Sequence, residues 1–379
     1  MIPLSVPNIS GNEAKYVLEC LETGWISTAG EYGERFETDF AAAIGSKNTV
    51  STMNGTAALH IALVTAGVAE DHVVVVPNIT FVATANAVKY VGAEPVLIDI
   101  DPYSWQMDLD LLETMLVEDC QRDTHGILKH RPSGKTLSTV VIVHVQGHMC
   151  DMDRLLDICR RFDLHLVEDA AEALGSTYDG KMSGTFGLLG CFSFNGNKIM
   201  STGGGGMVVA RHKYLADRIR HLVTTAKTDP LNYYHDQVGY NYRMVNILAA
   251  IGVAQLENLR SFLDSKRRTA AFYENELRDL GVIQFQKSGS RVNPNHWLFT
   301  FRTNEPTDLL GYLNSNGIMS RPFWTPMDKL PMFSSCSYVT KDNVSERIQS
   351  SAISIPCSTN ITMEQLYTVA KRIKKYFGA

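Results

Sequence analysis

The chain has no C-x-x-C pair, no apolar run approaching the length of a membrane span, no block of like charge and no internal repeat. Each absence excludes a class of function. Its seven cysteines, Cys20, Cys120, Cys150, Cys159, Cys191, Cys336 and Cys357, are odd in number and scattered. That spacing argues against a thiolate metal site or a dithiol redox motif, and we read the cysteines as reduced packing residues; no metal site is expected. The N-terminus, MIPLSVPNIS, lacks the basic stretch and apolar core of a secretory leader, and no segment offers the roughly 18 apolar residues of a membrane helix. The expectation is a cytoplasmic protein that does not engage a membrane. A net charge of −5, with dispersed lysines and arginines, lacks the basic footprint of a nucleic-acid binder.

With 379 residues, 45% apolar and 20% charged, the composition is that of a soluble globular protein of two lobes. Apolar, β-branched runs alternate with segments of helical period, which predicts an α/β fold with helices on both faces of a sheet. Strands are predicted at Asn48–Ser51, Val73–Val76, Glu94–Ile98, Thr139–His144, Leu164–Glu168, Gly190–Phe194 and Gly206–Ala210. In Asp151–Phe162, Met152, Leu155, Leu156, Cys159 and Phe162 follow helical spacing behind a capping aspartate. The pattern changes near residue 255. A charged helix from Leu256 to Leu280 is followed by short strands near Val282–Phe285 and His296–Arg302 and by further helices, so the expected division is a large domain over 1–255 and a smaller C-terminal α+β domain over 256–379. The polar stretch Val117–Leu137 reads as a surface excursion.

Three segments carry chemistry. In Gly190–Met207 (GCFSFNGNKIMSTGGGGM) a strand leads to one lysine, Lys198, followed by four glycines. Such a run either forms a flexible surface turn or lets backbone approach another group closely. In Leu164–Gly175 (LHLVEDAAEALG) a buried strand delivers Glu168 and Asp169 at its carboxyl end, where open α/β sheets bind ligands. Asp169 there either caps the next helix or keeps a pyridine nitrogen protonated. In Thr49–Leu63 a strand turns through Asn54-Gly55-Thr56 into a helix, a junction whose N–H groups suit a phosphate, although Thr56 also suits an N-cap.

With Trp25–Gly30 (WISTAG), Asn54–Leu59 (NGTAAL), Pro77–Val88 (PNITFVATANAV), Glu168–Gly175, Ser193–Lys198 and Gly239–Met244 (GYNYRM) in this order, essentially the whole chain resembles the nucleotide-sugar aminotransferases, a branch of the fold-type I pyridoxal 5'-phosphate (PLP) enzymes. The resemblance implies a large αβα domain with a mostly parallel mixed sheet and a smaller α+β domain. It makes Lys198 the Schiff-base lysine and proton carrier, with a lowered pKa. Asp169 becomes the partner of the ring nitrogen; Gly55, Thr56 and Ser193 the phosphate site; and Phe81 the aromatic against the cofactor face, unless it only packs the core. Glu172 stands where many relatives carry glutamine near the phenolic oxygen. An ionised carboxylate is repelled there, so it is expected to titrate high with a coupled partner or to bond elsewhere.

The resemblance also implies an obligate homodimer with shared active sites, Asn241 reaching the partner's phosphate. Thr28 and Gly30 would line the sugar pocket. Arg243 would support the interface or the substrate diphosphate, or form an ordinary ion pair. Gln146, His148, His296, Trp297 and the Arg321–Met332 loop are further candidates near substrate. The implied reaction takes nitrogen from L-glutamate, holds it as pyridoxamine 5'-phosphate and delivers it to a ketone of a nucleotide sugar. UDP-4-keto-6-deoxy-N-acetylglucosamine is the preferred acceptor, aminated at C4, for bacterial surface-glycan synthesis. The rivals are a sugar dehydratase with the same cofactor, which would lack Lys198, a non-catalytic regulatory relative, and an amino-acid aminotransferase of the same fold type.

Overall fold

The computed structural model describes residues 1–229 and 231–378. Its main sheet contains β1 (Thr49–Thr52), β2 (His72–Pro77), β3 (Glu94–Ile98), β4 (Cys120–Arg122), β5 (Leu128–His130), β6 (Thr136–Val143) and β7 (His165–Asp169). Strands Leu189–Ser193, Gly206–Ala210 and Tyr338–Val339 complete it. Across the sheet the order is β1, Gly206–Ala210, Leu189–Ser193, β7, β6, β2, β3, Tyr338–Val339. Gly206–Ala210 is antiparallel to both neighbours and the other strands of this row run parallel. The carboxyl ends of β1, β2, β6, β7 and Leu189–Ser193 therefore face the same way.

Continuous apolar strands arise because both faces are covered. Val74 and Val76 of β2 enter one core cluster while Val73 and Val75 enter another on the opposite face. Each buried valine contributes on the order of 1.5 kcal/mol or more. The helix Met152–Phe162 starts where the Asp151 carboxylate accepts the Arg154 N–H at 3.2 Å and ends at left-handed Asp163. Met152, Leu155, Ile158 and Cys159 are buried, while Leu156 and Phe162 pack at its edge.

Two expectations need correction. Val117–Leu137 is not merely a surface excursion: β4 and β5 form a hairpin, and β5 pairs with the start of β6. Cys120, Leu128 and His130 point inward, and the Asp123 carboxylate ties the turn by accepting N–H groups of His125 and Ile127 at 2.8 and 3.0 Å. Outward polar residues masked that alternation. Nor is Leu256–Leu280 one helix. A helix Asn246–Glu257 stops at Asn258, which leaves helical geometry at φ −102° and ψ 1°, and a second helix, Leu259–Leu277, starts with the Asn258 carbonyl accepting the Phe262 N–H at 3.1 Å. No glycine or proline marks the break.

Beyond it, Gln284–Phe285, Phe299–Arg302, Ala352–Ile355 and Arg321–Pro322 form a four-stranded antiparallel sheet with its own core around Tyr273, Phe301, Leu309 and Val369. Between Arg321–Pro322 and Ala352–Ile355 the chain visits the main sheet through Tyr338–Val339. The seven cysteines are unpaired. Among the described residues no helix is long and apolar enough to cross a membrane.

Candidate active site

The strand ends converge on a cavity of about 450 Å³. Its walls include Gly55, Thr56, Phe81, Asp169, Glu172 and Ser193, and with them Lys198. The small sheet's side adds Trp297, Arg321, Trp324 and Ser354.

At one end, β1 leads into the helix Gly55–Thr65. Asn54 is the N-cap, its side chain accepting the Ala57 N–H at 2.7 Å, so capping does not fall to Thr56. The N–H groups of Gly55 and Thr56 are left for an anion, as first-turn donors have no partner inside a helix. The residue must be glycine because a Cβ would lie 2.7 Å from the Ser193 Cβ. These two segments meet as closely as a cradle requires.

At the other end Asp169 is buried at the tip of β7. It accepts the Thr84 hydroxyl at 2.7 Å and the Ala171 N–H at 3.1 Å. Burial raises its pKa against the pull of those donors, Lys198 and His144. A desolvated carboxylate that accepts two hydrogen bonds suits a protonated ring nitrogen. Its neighbour Glu168 serves structure instead. It takes the N–H groups of Gly184, Phe186 and Gly187 at 2.8, 2.6 and 2.7 Å and lies 2.9 Å from His144 Nε2.

Lys198 lies between these ends, its Nζ 3.8 Å from the Trp297 ring centre and 3.7 Å from Glu172 Oε1. Burial lowers its pKa, and Glu172 and Asp169 partly offset that. Glu172 bonds the backbone of Gln146, whose N–H it accepts at 2.9 Å. Burial pushes its carboxyl up to about 7, with Lys198 opposing. Phe81 is 54% exposed on the rim, a position for a flat ligand rather than core packing.

The other candidates divide. Gln146 lines the cavity, whereas His148 turns away to Ser288 Oγ at 2.6 Å and meets His296 edge to face. A positive φ of 52° at His296 sends its ring to that contact, and burial pushes its pKa down to about 4. Thr28 and Gly30 are exposed outside this cavity. Their loop is pinned by Asn246, which donates to the Trp25 carbonyl at 2.7 Å and accepts the Tyr32 N–H at 3.0 Å. Asn241 is exposed and Arg243 half-buried, and neither lines the cavity of its own chain. Thr84 and Asn295 were missed. A threonine within the apolar run Ile79–Val88 is the only signal for the first, and a buried asparagine in Asn-Pro-Asn gives none for the second.

A buried lysine amine, a buried carboxylate and a helix start with unpaired first-turn N–H groups, set at the strand ends of an α/β sheet, fit the chemistry of a PLP-dependent aminotransferase of fold type I. The chain belongs to the DegT/DnrJ/EryC1/StrS aminotransferase family, whose profile matches residues 7–374. It is 36% identical over 380 residues to GDP-perosamine synthase of Escherichia coli O157:H7, covering 100% of this chain and 99% of that protein. It is 39% identical over 339 residues to GDP-perosamine synthase of Caulobacter vibrioides, covering 88% and 86%. Among solved structures, a DegT/DnrJ/EryC1/StrS aminotransferase from Brucella abortus superposes with a TM-score of 0.89 at 25% identity, covering 97% of this chain and 96% of that one. The chain is thus a PLP-dependent sugar aminotransferase.

Proposed function

We propose that this enzyme moves an amino group from L-glutamate to the C4 ketone of a nucleotide-linked 4-keto-6-deoxy sugar, for surface-glycan synthesis. The observation that carries the reading is the buried Lys198 amine set among Asp169, Glu172 and Trp297. Bound PLP supplies the electrophilic carbon and the electron sink through which nitrogen is stored and passed on. Lys198 supplies the amine that takes and returns protons at the reacting carbon. Asp169 would keep the ring nitrogen protonated; Gly55, Thr56 and Ser193 would hold the phosphate; Phe81 would pack against the ring; and the indoles of Trp297 and Trp324 would help to exclude water from the cavity.

Two relatives named GDP-perosamine synthase favour a GDP-linked acceptor over the UDP-linked sugar that the sequence motifs suggested. The dimer belongs to the same proposal. Thr28, Gly30, Asn241 and Arg243 stand outside their own chain's cavity, and exposed Leu18, Leu21, Trp25 and Ile26 offer an apolar face for a second copy that would bring such residues to its site. Light scattering on the purified protein tests it, a monomer counting against it.

The test of function is an absorbance spectrum of the PLP-loaded protein before and after L-glutamate, then after the GDP- or the UDP-linked 4-keto-6-deoxy sugar, with Lys198→Ala in parallel. The expected result is a visible-edge band that glutamate bleaches and one of the two sugars restores, absent in the variant. A band that glutamate leaves unchanged rejects the reading.

A further inference from the structure

Glu172 is held with more care than a packing residue needs. Its Oε2 accepts the Gln146 N–H at 2.9 Å, and Gln146 adopts a left-handed φ of 60° to present that N–H. Gly147 follows at φ 83°, where any Cβ would collide with the Asn295 side chain. Asn295 Nδ2 in turn donates to the carbonyls of Glu172 and Leu174, both at 2.9 Å. The left-handed turn thus fixes one carboxylate oxygen, the buried amide holds the Glu172 backbone, and the other carboxylate oxygen lies 3.7 Å from Lys198 Nζ. An apolar side chain would fill this place without the cost of desolvating a charge.

We propose that Glu172 exchanges a proton with Lys198 during amino transfer and is a second acid–base group of the site. The inference rests on Lys198 being the amine that moves protons. In the step an Nζ–H bond of the ammonium breaks and an Oε1–H bond forms, so an ion pair becomes a neutral amine and a neutral acid. Net charge in the cavity is unchanged and no further reactant is required. Excluding water costs the ion pair its solvation and so brings the neutral pair closer to it in free energy, which suits a group that must take and give a proton in turn. The charged groups facing Glu172 are Lys198, from the segment after Leu189–Ser193, and Asp169, at the end of β7. Arg321 is the cation on the small sheet's wall, and His296, beyond Asn295, is neutral above about pH 4.

The experiment uses cofactor-free protein, labelled at Lys198 with acetic anhydride across pH and read by peptide mass spectrometry. In Glu172→Gln the carboxylate that retains the Lys198 proton is gone. The labelling midpoint is expected to fall by about one pH unit, which is about tenfold more neutral amine at a fixed pH below the midpoint. Lys198→Ala gives the reciprocal reading, independent of whether Glu172→Gln folds. Loss of the ammonium should move the Glu172 carboxyl titration, followed by its infrared carbonyl band, to higher pH by a similar amount. An unmoved Lys198 midpoint in folded Glu172→Gln, or an unmoved Glu172 titration in Lys198→Ala, overturns the proposal. Amino transfer by the wild-type enzyme alongside either result would leave the aminotransferase reading standing and reject the role of Glu172 alone.

Discussion

Lys198 Nζ lies 3.8 Å from the centre of the Trp297 ring, and the same indole donates its Nε1–H to the Asn197 carbonyl at 2.7 Å. One side chain therefore both faces the amine and ties down the backbone that carries it. A ring face stabilises the ammonium by about 0.5–2 kcal/mol. Trp297→Leu should lower the Lys198 pKa and release its loop, reducing kcat/KM about tenfold or more. Trp297→Phe keeps a ring and loses only the tie, so its loss should be smaller. Steady-state kinetics on both variants checks this, and equal losses would show that the ring face contributes nothing.

Thr84 presents a single hydroxyl to Asp169, at 2.7 Å. Hydrogen bonds to a carboxylate favour its charged form. Thr84→Val, close to the same shape, should raise the Asp169 pKa, which burial already holds above the ordinary value. Protonated Asp169 cannot balance a ring-nitrogen cation, so activity falls as the acid form accumulates. The acid limb of the kcat/KM profile should move up by about one pH unit, the scale of a bond worth ~1.5 kcal/mol. A profile that keeps its acid limb would remove Asp169 from the chemistry.

Gly55→Ala separates helix stability from cofactor affinity. Gly55 is the first residue of its helix, where alanine gains at most ~1 kcal/mol over glycine, and the alanine Cβ would lie 2.7 Å from the Ser193 Cβ. The two segments of the cradle must part, at a cost of ~1–3 kcal/mol. PLP affinity, measured by fluorescence titration, should weaken about ten- to hundredfold with no matching loss of thermal stability. Unchanged affinity would place the phosphate elsewhere.

Elements buried on two faces were legible in the sequence. Val73–Val76 could not be a solvent-facing strand, and Asp151 announced the helix it caps. Lys198 and Asp169 stood out because each follows a strand that the apolar pattern located. What stayed hidden depends on partners distant in sequence. Thr84 meets Asp169 across 85 positions, and Asn295 reaches Glu172 across 123. Neither pair leaves a spacing to read. The β4–β5 hairpin was hidden because its outward residues are polar enough to resemble a loop. At the break at Asn258 both helices pack on one core, around Val253, Ala254, Leu259 and Phe262, and only the far half of the second helix, from Ala270, enters the small sheet's core, a tertiary arrangement that local propensity does not register.

Lys266 is a buried lysine with no carboxylate partner among the described residues, and its amine donates to the carbonyls of Trp297 at 2.7 Å and Cys357 at 2.5 Å. It thereby joins the segment that leads into Phe299–Arg302 to the one that leaves Ala352–Ile355, beneath the indole that covers Lys198. Lys266→Met leaves two buried carbonyls without donors, at ~1–3 kcal/mol each, and removes a desolvated charge that offsets part of this. Burial lowers the Lys266 pKa below its unfolded value. The wild-type side chain therefore contributes its full stability above about pH 10.5, where it is a neutral amine that still donates both bonds, and loses part of that as pH falls. Urea unfolding should show Lys266→Met less stable by ~2 kcal/mol or more at pH 10 and by a smaller margin at pH 7. A deficit that grows towards neutral pH would mean that the ammonium is stabilised by an acceptor set stronger than two carbonyls.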